Sequence, residues 1–226
     1  MIHTPSPNHG PRPAGIAIDL LIVHYTGMTS ARAALERLCD PVAQVSAHYL
    51  IEEDGTAHQL VPEERRAWHA GVAHWAGAGN INDRSIGIEL VNPGHEFGYR
   101  PFPASQIDRL IELATAIRAR HPIPVQRVIG HADVAPSRKQ DPGELFPWPR
   151  LAEHGLGLWP DPDRPPPAEL LTQPPEDLLR LIGYDTADLP ASLCAFQRHF
   201  LPDHLSAQAD PPTVRRLAQV AAAMRS

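Results

Sequence analysis

The groups best suited to chemistry lie close together in the segment Gly130-His131-Ala132-Asp133-Val134-Ala135-Pro136-Ser137-Arg138-Lys139-Gln140-Asp141-Pro142-Gly143. An imidazole, an ammonium and carboxylates stand among Pro and Gly residues that forbid a long helix, so the segment is expected to be a shaped loop. His131 and an aspartate, either Asp141 or the equally eligible Asp133, can ligate a divalent metal. Lys139 adds a cation two residues before Asp141. A tetrahedral metal site that keeps one position for water needs three protein ligands, so one more must come from elsewhere. His24 is the candidate. It directly follows the apolar, β-branched run Ile16–Val23 (IAIDLLIV), and the end of a buried strand holds a side chain rigidly against a crevice. The competing reading is a hydrogen-bonded histidine at a strand terminus. Glu89 is a second anomaly, a lone carboxylate in the apolar run SIGIELV. Such a group costs several kcal/mol unless paired, metal-bound or protonated. Its pKa should rise, as a general base near neutral pH requires; a structural ion pair is the alternative.

The elements that must position these groups follow from periodicity. Ile16–Val23 and Ser85–Val91 read as buried strands, Val125–Ile129 as a short one, and Gly130 then turns the chain into the loop, so His131 repeats the situation of His24. Val45–Ile51 and Ala57–Val61 read as an antiparallel hairpin about the Asp54-Gly55 turn, with His48 pointing either into the core or into a site. Ser30 caps a helix through Leu38. Ile107, Leu110, Ile111, Ala114 and Ile117 mark an amphipathic helix over Ala104–Arg120 that covers one face of the sheet. Residues 67–84 (AWHAGVAHWAGAGNINDR) have no period and read as a long ordered loop, whose His69, Trp75 and Asn82 suit an amide- and hydroxyl-bearing ligand. The proline-rich residues 3–13 read as an extended surface arm. The pattern is that of an α/β protein.

A second proline-rich stretch, Pro160–Pro167 with Pro174-Pro175, divides the chain. The expected organisation is a catalytic domain over residues 1–160, a linker over 161–175 and a helical domain over 176–226. Three short helices are expected in the last part, over Asp177–Ile182, Ala191–Phe200 and Pro212–Met224, close to the minimum for an independent bundle.

The 226 residues suffice for one full-sized core, and a hydrophobic fraction of 42% is that of a globular protein. A net charge of −6 argues against a nucleic-acid partner, because that affinity comes mainly from neutralising phosphates with Lys and Arg. The two cysteines, Cys39 and Cys194, stand far apart in apolar helical stretches and read as small buried hydrophobes. The first sixteen residues lack the continuous apolar core of a signal peptide and no lipid-attachment cysteine lies near them, so the expected location is cytoplasmic, with the periplasm as alternative. No run approaches the roughly twenty apolar residues that span a bilayer.

Five motifs in order carry a resemblance: Leu20–Thr26 (LLIVHYT), Ser46–Ile51 (SAHYLI), Ala67–Gly71 (AWHAG), Asn82–Leu90 (NDRSIGIEL) and His131–Gly143 (HADVAPSRKQDPG). Together they resemble the zinc-dependent N-acetylmuramoyl-L-alanine amidases of the AmpD/AmiD type over about residues 7–160. Residues 170–226, with Phe196-Gln197-Arg198-His199-Phe200, resemble the small helical peptidoglycan-binding domain of the AmiD branch. The resemblance implies a central mixed β-sheet flanked by helices, followed by a small three-helix C-terminal domain. It implies His24, His131 and Asp141 as Zn²⁺ ligands and Glu89 with Lys139 as the catalytic pair, and leaves Asp133 to shape the loop. Relatives sharing the fold use a cysteine as third ligand, and some carry a catalytic tyrosine just before the position of His48; here Asp141 and Ala47 stand instead, which moves the base role onto Glu89. The implied reaction is hydrolysis of the amide between N-acetylmuramic acid and L-alanine in peptidoglycan or (anhydro)muropeptides. His69, Trp75 and Asn82 are the expected substrate contacts. A muropeptide-binding module without activity and a peptidase of D-amino-acid cross-links are the competing readings.

Overall fold

A computed structural model describes residues 1–225; Ser226, the end of the expected third segment, lies outside the described residues. In chain order the elements are β1 (Ile2–His3), β2 (His9–Pro11), β3 (Leu20–Tyr25), α1 (Ala31–Cys39), β4 (Tyr49–Ile51), β5 (Ala57–Gln59), β6 (Arg65–Ala67), β7 (Ser85–Leu90), α2 (Gly94–Phe97), α3 (Ala104–Arg120), β8 (Val128–Gly130), α4 (His131–Val134), α5 (Trp148–Ala152), α6 (Ala168–Leu171), α7 (Pro175–Ile182), α8 (Leu189–Phe200) and α9 (Pro211–Ala223). Single 3-10 turns precede β7 and β8, at Ile81–Asp83 and Val125–Arg127.

The main sheet has six strands in the order β1-β5-β4-β7-β3-β8. Only β4 and β5 pair antiparallel, as the Asp54-Gly55 turn predicts; the other pairs are parallel. The sheet is therefore mixed. Its central strands alternate strictly. Leu21 and Val23 of β3, with Ile86, Ile88 and Leu90 of β7, pack under α3 through Ile107, Leu110, Ala114 and Ile117. Full burial of each such side chain contributes about 1.5–3 kcal/mol. Leu20 and Ile22 point to the opposite face. In register, Leu20 pairs with Ser85, Ile22 with Gly87 and His24 with Glu89. The second face of the two central strands thus carries a polar stripe leading from Ser85 to Glu89.

That face is covered by the C-terminal helices. Leu20, Ile22, Trp75, Ile129 and Val134 share one apolar cluster with Leu178, Leu179, Phe196, Leu217 and Val220. The Pro-rich stretch between the two parts is ordered because α9 grips its carbonyls: Arg216 Nη1 donates to Pro160 O at 2.7 Å, and Gln219 Nε2 to Pro162 O and Arg164 O at 2.8 and 2.7 Å. One helical turn, α6, falls inside the span expected to be linker.

Several boundaries differ from expectation for physical reasons. The first buried strand starts at Leu20 and runs one residue past His24, so His24 lies within the ladder and Tyr25 ends it. Residues 45–48 precede the regular ladder: Ser46 N bonds to Trp68 O and His48 N to Gly87 O, while His48 O still accepts from Leu60 N of the expected return strand at 2.8 Å. The N-terminal arm is built into the fold. β1 adds to the edge of the main sheet beside β5, β2 pairs antiparallel with β6 in a separate two-stranded sheet, and Asn8 Nδ2 donates to Asp40 O and Val45 O at 2.8 Å each. Arg12 donates to the carbonyls of Glu63, Asp83 and Ser85 at 2.8–2.9 Å.

Candidate active site

β3, the first residue of α4 and the loop after it bring together His24, His131 and Asp141. His24 Nδ1 lies 2.9 Å from His131 Nδ1 and 3.1 Å from Asp141 Oδ2, and His131 Nδ1 lies 3.0 Å from the same oxygen. All three residues are buried. Zinc bound tetrahedrally through N and O at about 2.0–2.1 Å has ligand atoms about 3.3 Å apart, so this triangle matches a divalent-metal site. Asp141 is the aspartate brought in, and not Asp133. Backbone bonding closes the loop that carries it: Ala132 N donates to Asp141 O at 2.8 Å, and Lys139 N to Ala135 O at 3.0 Å.

The protonation states suit a cation. Burial and the neighbouring His131 push the His24 pKa down to about 4, so its imidazole is neutral at pH 7. Burial alone would raise the Asp141 pKa, but His131 and His24 beside it hold the carboxyl well below its ordinary range. A neutral imidazole and a carboxylate are the forms that bind metal. Each imidazole also has a partner on its outer nitrogen. His131 Nε2 donates to Ala70 O at 3.1 Å, a carbonyl that also accepts from Arg138 Nη2 at 3.1 Å. His24 Nε2 lies 3.0 Å from His69 Nδ1.

Glu89 lines the same cleft as Lys139, His131 and Asp141, a cavity of about 340 Å³. Its Oε2 is buried without a hydrogen-bond partner among the described residues. Burial, and then the charge of Asp141, raise its pKa well above the ordinary carboxylate value against the pull of Lys139. Among the described residues no cation forms a salt bridge with Glu89, which speaks against the ion-pair reading. A buried carboxylate with an unpartnered oxygen beside a cleft is chemically able to act as a general base.

The three residues expected to contact substrate separate. His69 does line the cleft, and burial beside His24 and His48 lowers its pKa well below the ordinary imidazole value. Trp75 does not reach it. It is 4% exposed and packs edge-on against Tyr184, ring centroids 5.1 Å apart, under the C-terminal helices. Asn82 is also turned inward, its Oδ1 accepting from the backbone N–H groups of His69 and Ala70 at 3.1 and 2.8 Å. Both corrections have one origin, a loop rich in polar and aromatic residues that spends most of them on its own packing. His48 belongs to the core, accepting at Nδ1 from Gly87 N at 3.0 Å.

Sequence reasoning missed Trp68, Arg37 and Arg138 on the cleft wall. Arg138 was detectable as the neighbour of Lys139 in the 130–143 segment; Arg37 carried no signal beyond lying in the helix capped by Ser30. Also missed were the partners of Asp133, which accepts from Gly130 N at 2.7 Å, from His199 Nδ1 at 2.8 Å and from the Tyr184 hydroxyl.

Comparison with known proteins agrees with this geometry. Residues 14–144 match the N-acetylmuramoyl-L-alanine amidase family. The chain belongs to that family. Among relatives of this amidase family, the N-acetylmuramoyl-L-alanine amidase AmiD of Escherichia coli is 40% identical over 222 residues, covering 87% of this chain and 79% of the relative. The 1,6-anhydro-N-acetylmuramyl-L-alanine amidase AmpD of Enterobacter cloacae is 35% identical over 66% of this chain and 87% of its own. The solved structure of E. coli AmiD with the substrate anhydro-N-acetylmuramic acid-L-Ala-D-gamma-Glu-L-Lys superposes with a TM-score of 0.76 at 37% identity, over 92% of each chain. AmpDh3 of Pseudomonas aeruginosa in complex with anhydromuramic pentapeptide gives 0.77 at 34% identity, over 92% of this chain and 93% of that one. The AmiD-like length of the match includes the C-terminal helices.

Proposed function

We propose that this amidase family member is a zinc enzyme that hydrolyses the amide joining the lactyl group of N-acetylmuramic acid to L-alanine, in muropeptides that include the 1,6-anhydro form. The observation that carries the reading is the His24–His131–Asp141 triangle, whose His131 and Asp141 line one cleft with a carboxylate, Glu89, whose Oε2 has no partner among the described residues. The names of the relatives, and the substrates bound in two of their structures, support the choice of bond.

In this reading His24, His131 and Asp141 hold the ion. When bound, zinc polarises a carbonyl and makes a water molecule acidic, with a pKa near about 7. Glu89 accepts the proton lost by the attacking water and returns it to the departing amine of L-alanine; its raised pKa suits both transfers. The Lys139 ammonium stabilises the oxyanion that forms on the scissile carbonyl. His69 and Trp68 bound the cleft on the substrate side. All of these residues fall between positions 24 and 141, inside the catalytic unit proposed over residues 1–160. The helices after the 161–175 stretch cover the second sheet face and hold Asp133.

Incubation with soluble anhydro-muropeptides followed by mass analysis tests the reading. Free stem peptide is expected. An unchanged substrate would make the chain a muropeptide-binding module, and a shortened peptide would make it a cross-link peptidase. The cytoplasmic setting expected from the sequence goes with soluble fragments as substrate. Release of stem peptide from intact sacculi would instead place the enzyme on polymeric wall. Among the described residues no helix is long and apolar enough to cross a membrane.

A further inference from the structure

Ser85, His69 and His24 form a hydrogen-bonded row along the polar stripe of β3 and β7, and its direction can be read atom by atom. Ser85 has a single hydroxyl proton and donates it to Ile81 O at 2.7 Å. Its oxygen is then the acceptor for His69 Nε2, 3.1 Å away, which places the proton of His69 on Nε2. His69 Nδ1 is left with its lone pair, and it faces His24 Nε2 at 3.0 Å. His24 must therefore carry its own proton on Nε2. Its Nδ1 lone pair is free and points at His131 and Asp141.

We propose that His69, fixed by Ser85, is a positioning residue that sets the tautomer and ring orientation of His24 for metal binding. This inference rests on the metal-site reading above. Three further features hold His69 for this task. Its backbone N–H is bound by Asn82 Oδ1. Asn82 belongs to the same 3-10 turn as Ile81, whose carbonyl anchors Ser85. The imidazole also lies directly on Gly87, where a Cβ would come within 2.5 Å of His69 Cγ, so the strand leaves room for the ring only because that residue has no side chain. A ring held from its backbone, its far nitrogen and its flat face is fixed against rotation, and an outer partner so held strengthens a metal-bound histidine.

The test compares zinc affinity, by competition with a chromophoric chelator, in the wild type, His69→Leu, His69→Asn and Ser85→Ala. The Asn side-chain oxygen falls close to the place of imidazole Nδ1 and can accept from His24 Nε2. His69→Leu is expected to weaken zinc binding about 10–100-fold, His69→Asn to restore most of it, and Ser85→Ala to fall between. Equal weakening in His69→Leu and His69→Asn, or none in either, overturns the proposal. Should His69→Leu fail to fold, nitrogen-15 imidazole spectra of the zinc-loaded wild type decide: a proton on His69 Nε2 supports the row, and one on Nδ1 overturns it. A wild-type chain that binds no zinc fails the metal-site reading itself, which is a different outcome from wild-type binding that the variants leave unaltered.

Discussion

His199 of α8 donates from Nδ1 to Asp133 Oδ2 at 2.8 Å, which joins the C-terminal helices to the turn that begins with His131, a proposed metal ligand. Asp133 is 2% exposed and His199 3%, and the His199 ring is stacked between Trp148 and Phe200, with centroids 3.8 and 3.9 Å away. The Tyr184 hydroxyl donates to the other oxygen of the same carboxylate. A buried carboxylate deprived of a donor keeps its desolvation cost, so Tyr184→Phe and His199→Ala should each destabilise the fold by about 1–3 kcal/mol. Urea unfolding measures this. Losses under about 0.5 kcal/mol in both variants, the range of ordinary surface substitutions, would show that the contact does not hold the two parts together.

Glu89 and Asp141 should separate chemistry from metal binding. Glu89→Ala leaves the His24–His131–Asp141 triangle complete, so it should bind zinc normally while kcat falls about 10²–10⁴-fold, the usual worth of a general base. Asp141→Ala removes a ligand and should lose both zinc and activity. Lys139→Met should keep zinc and lower kcat about 10²–10³-fold if its ammonium meets the oxyanion. Metal content and turnover measured on the same preparations check all three, and near-native turnover in Glu89→Ala would remove the base from the mechanism.

Much of this site was legible in the sequence because it depends on local patterns. The 17 residues of α3 coincide with the expected Ala104–Arg120, since a helix with a clean apolar period needs no tertiary information to be found. Apolar runs located His24 and His131 beside strands, although His24 lies one residue inside its strand, and Glu89 stood out as the lone acid of SIGIELV. What was not legible depends on distant partners. Asp133 gave no sign of binding residues 51 and 66 positions later. The prolines of the N-terminal arm argue correctly against a long ladder, yet they say nothing of Asn8 and Arg12, whose side chains tie the arm into the fold. Trp75 and Asn82 have the composition of a binding loop, and only the three-dimensional packing shows that they are spent inside it.

Glu63 gives a pH dependence away from the metal. It accepts from Arg120 Nη2 at 2.6 Å, from His121 Nε2 at 2.7 Å and from the Tyr49 hydroxyl at 2.7 Å. Burial opposes its ionisation, but these donors outweigh it and bring its pKa down from 4.5 to about 2. A carboxylate with a depressed folded pKa stabilises fully above its unfolded value and loses that contribution as pH falls. Wild-type stability should therefore decline from about pH 4.5 toward pH 2. Glu63→Gln should be less stable at pH 7 and show a shallower decline over that window. Urea midpoints at pH 7, 5 and 3 decide it; parallel curves for the two proteins would assign the acid sensitivity to other groups.

Gly87→Ala isolates the contact between β7 and His69. The added methyl would lie 2.5 Å from His69 Cγ and 2.6 Å from its Nδ1, so either the ring or the strand must move. Overpacking of this kind costs about 1–3 kcal/mol. Ring displacement would also separate His69 Nδ1 from His24 Nε2 and weaken zinc binding. The two effects share one cause, and a double-mutant cycle exposes it. With His69 already replaced by Asn, the imidazole is absent and Gly87→Ala should cost much less, giving a coupling of at least about 0.5 kcal/mol, as expected for residues in contact. Thermal unfolding of the four zinc-free proteins measures that coupling. An additive cycle would mean that the missing side chain at position 87 serves the strand alone and not the imidazole lying on it.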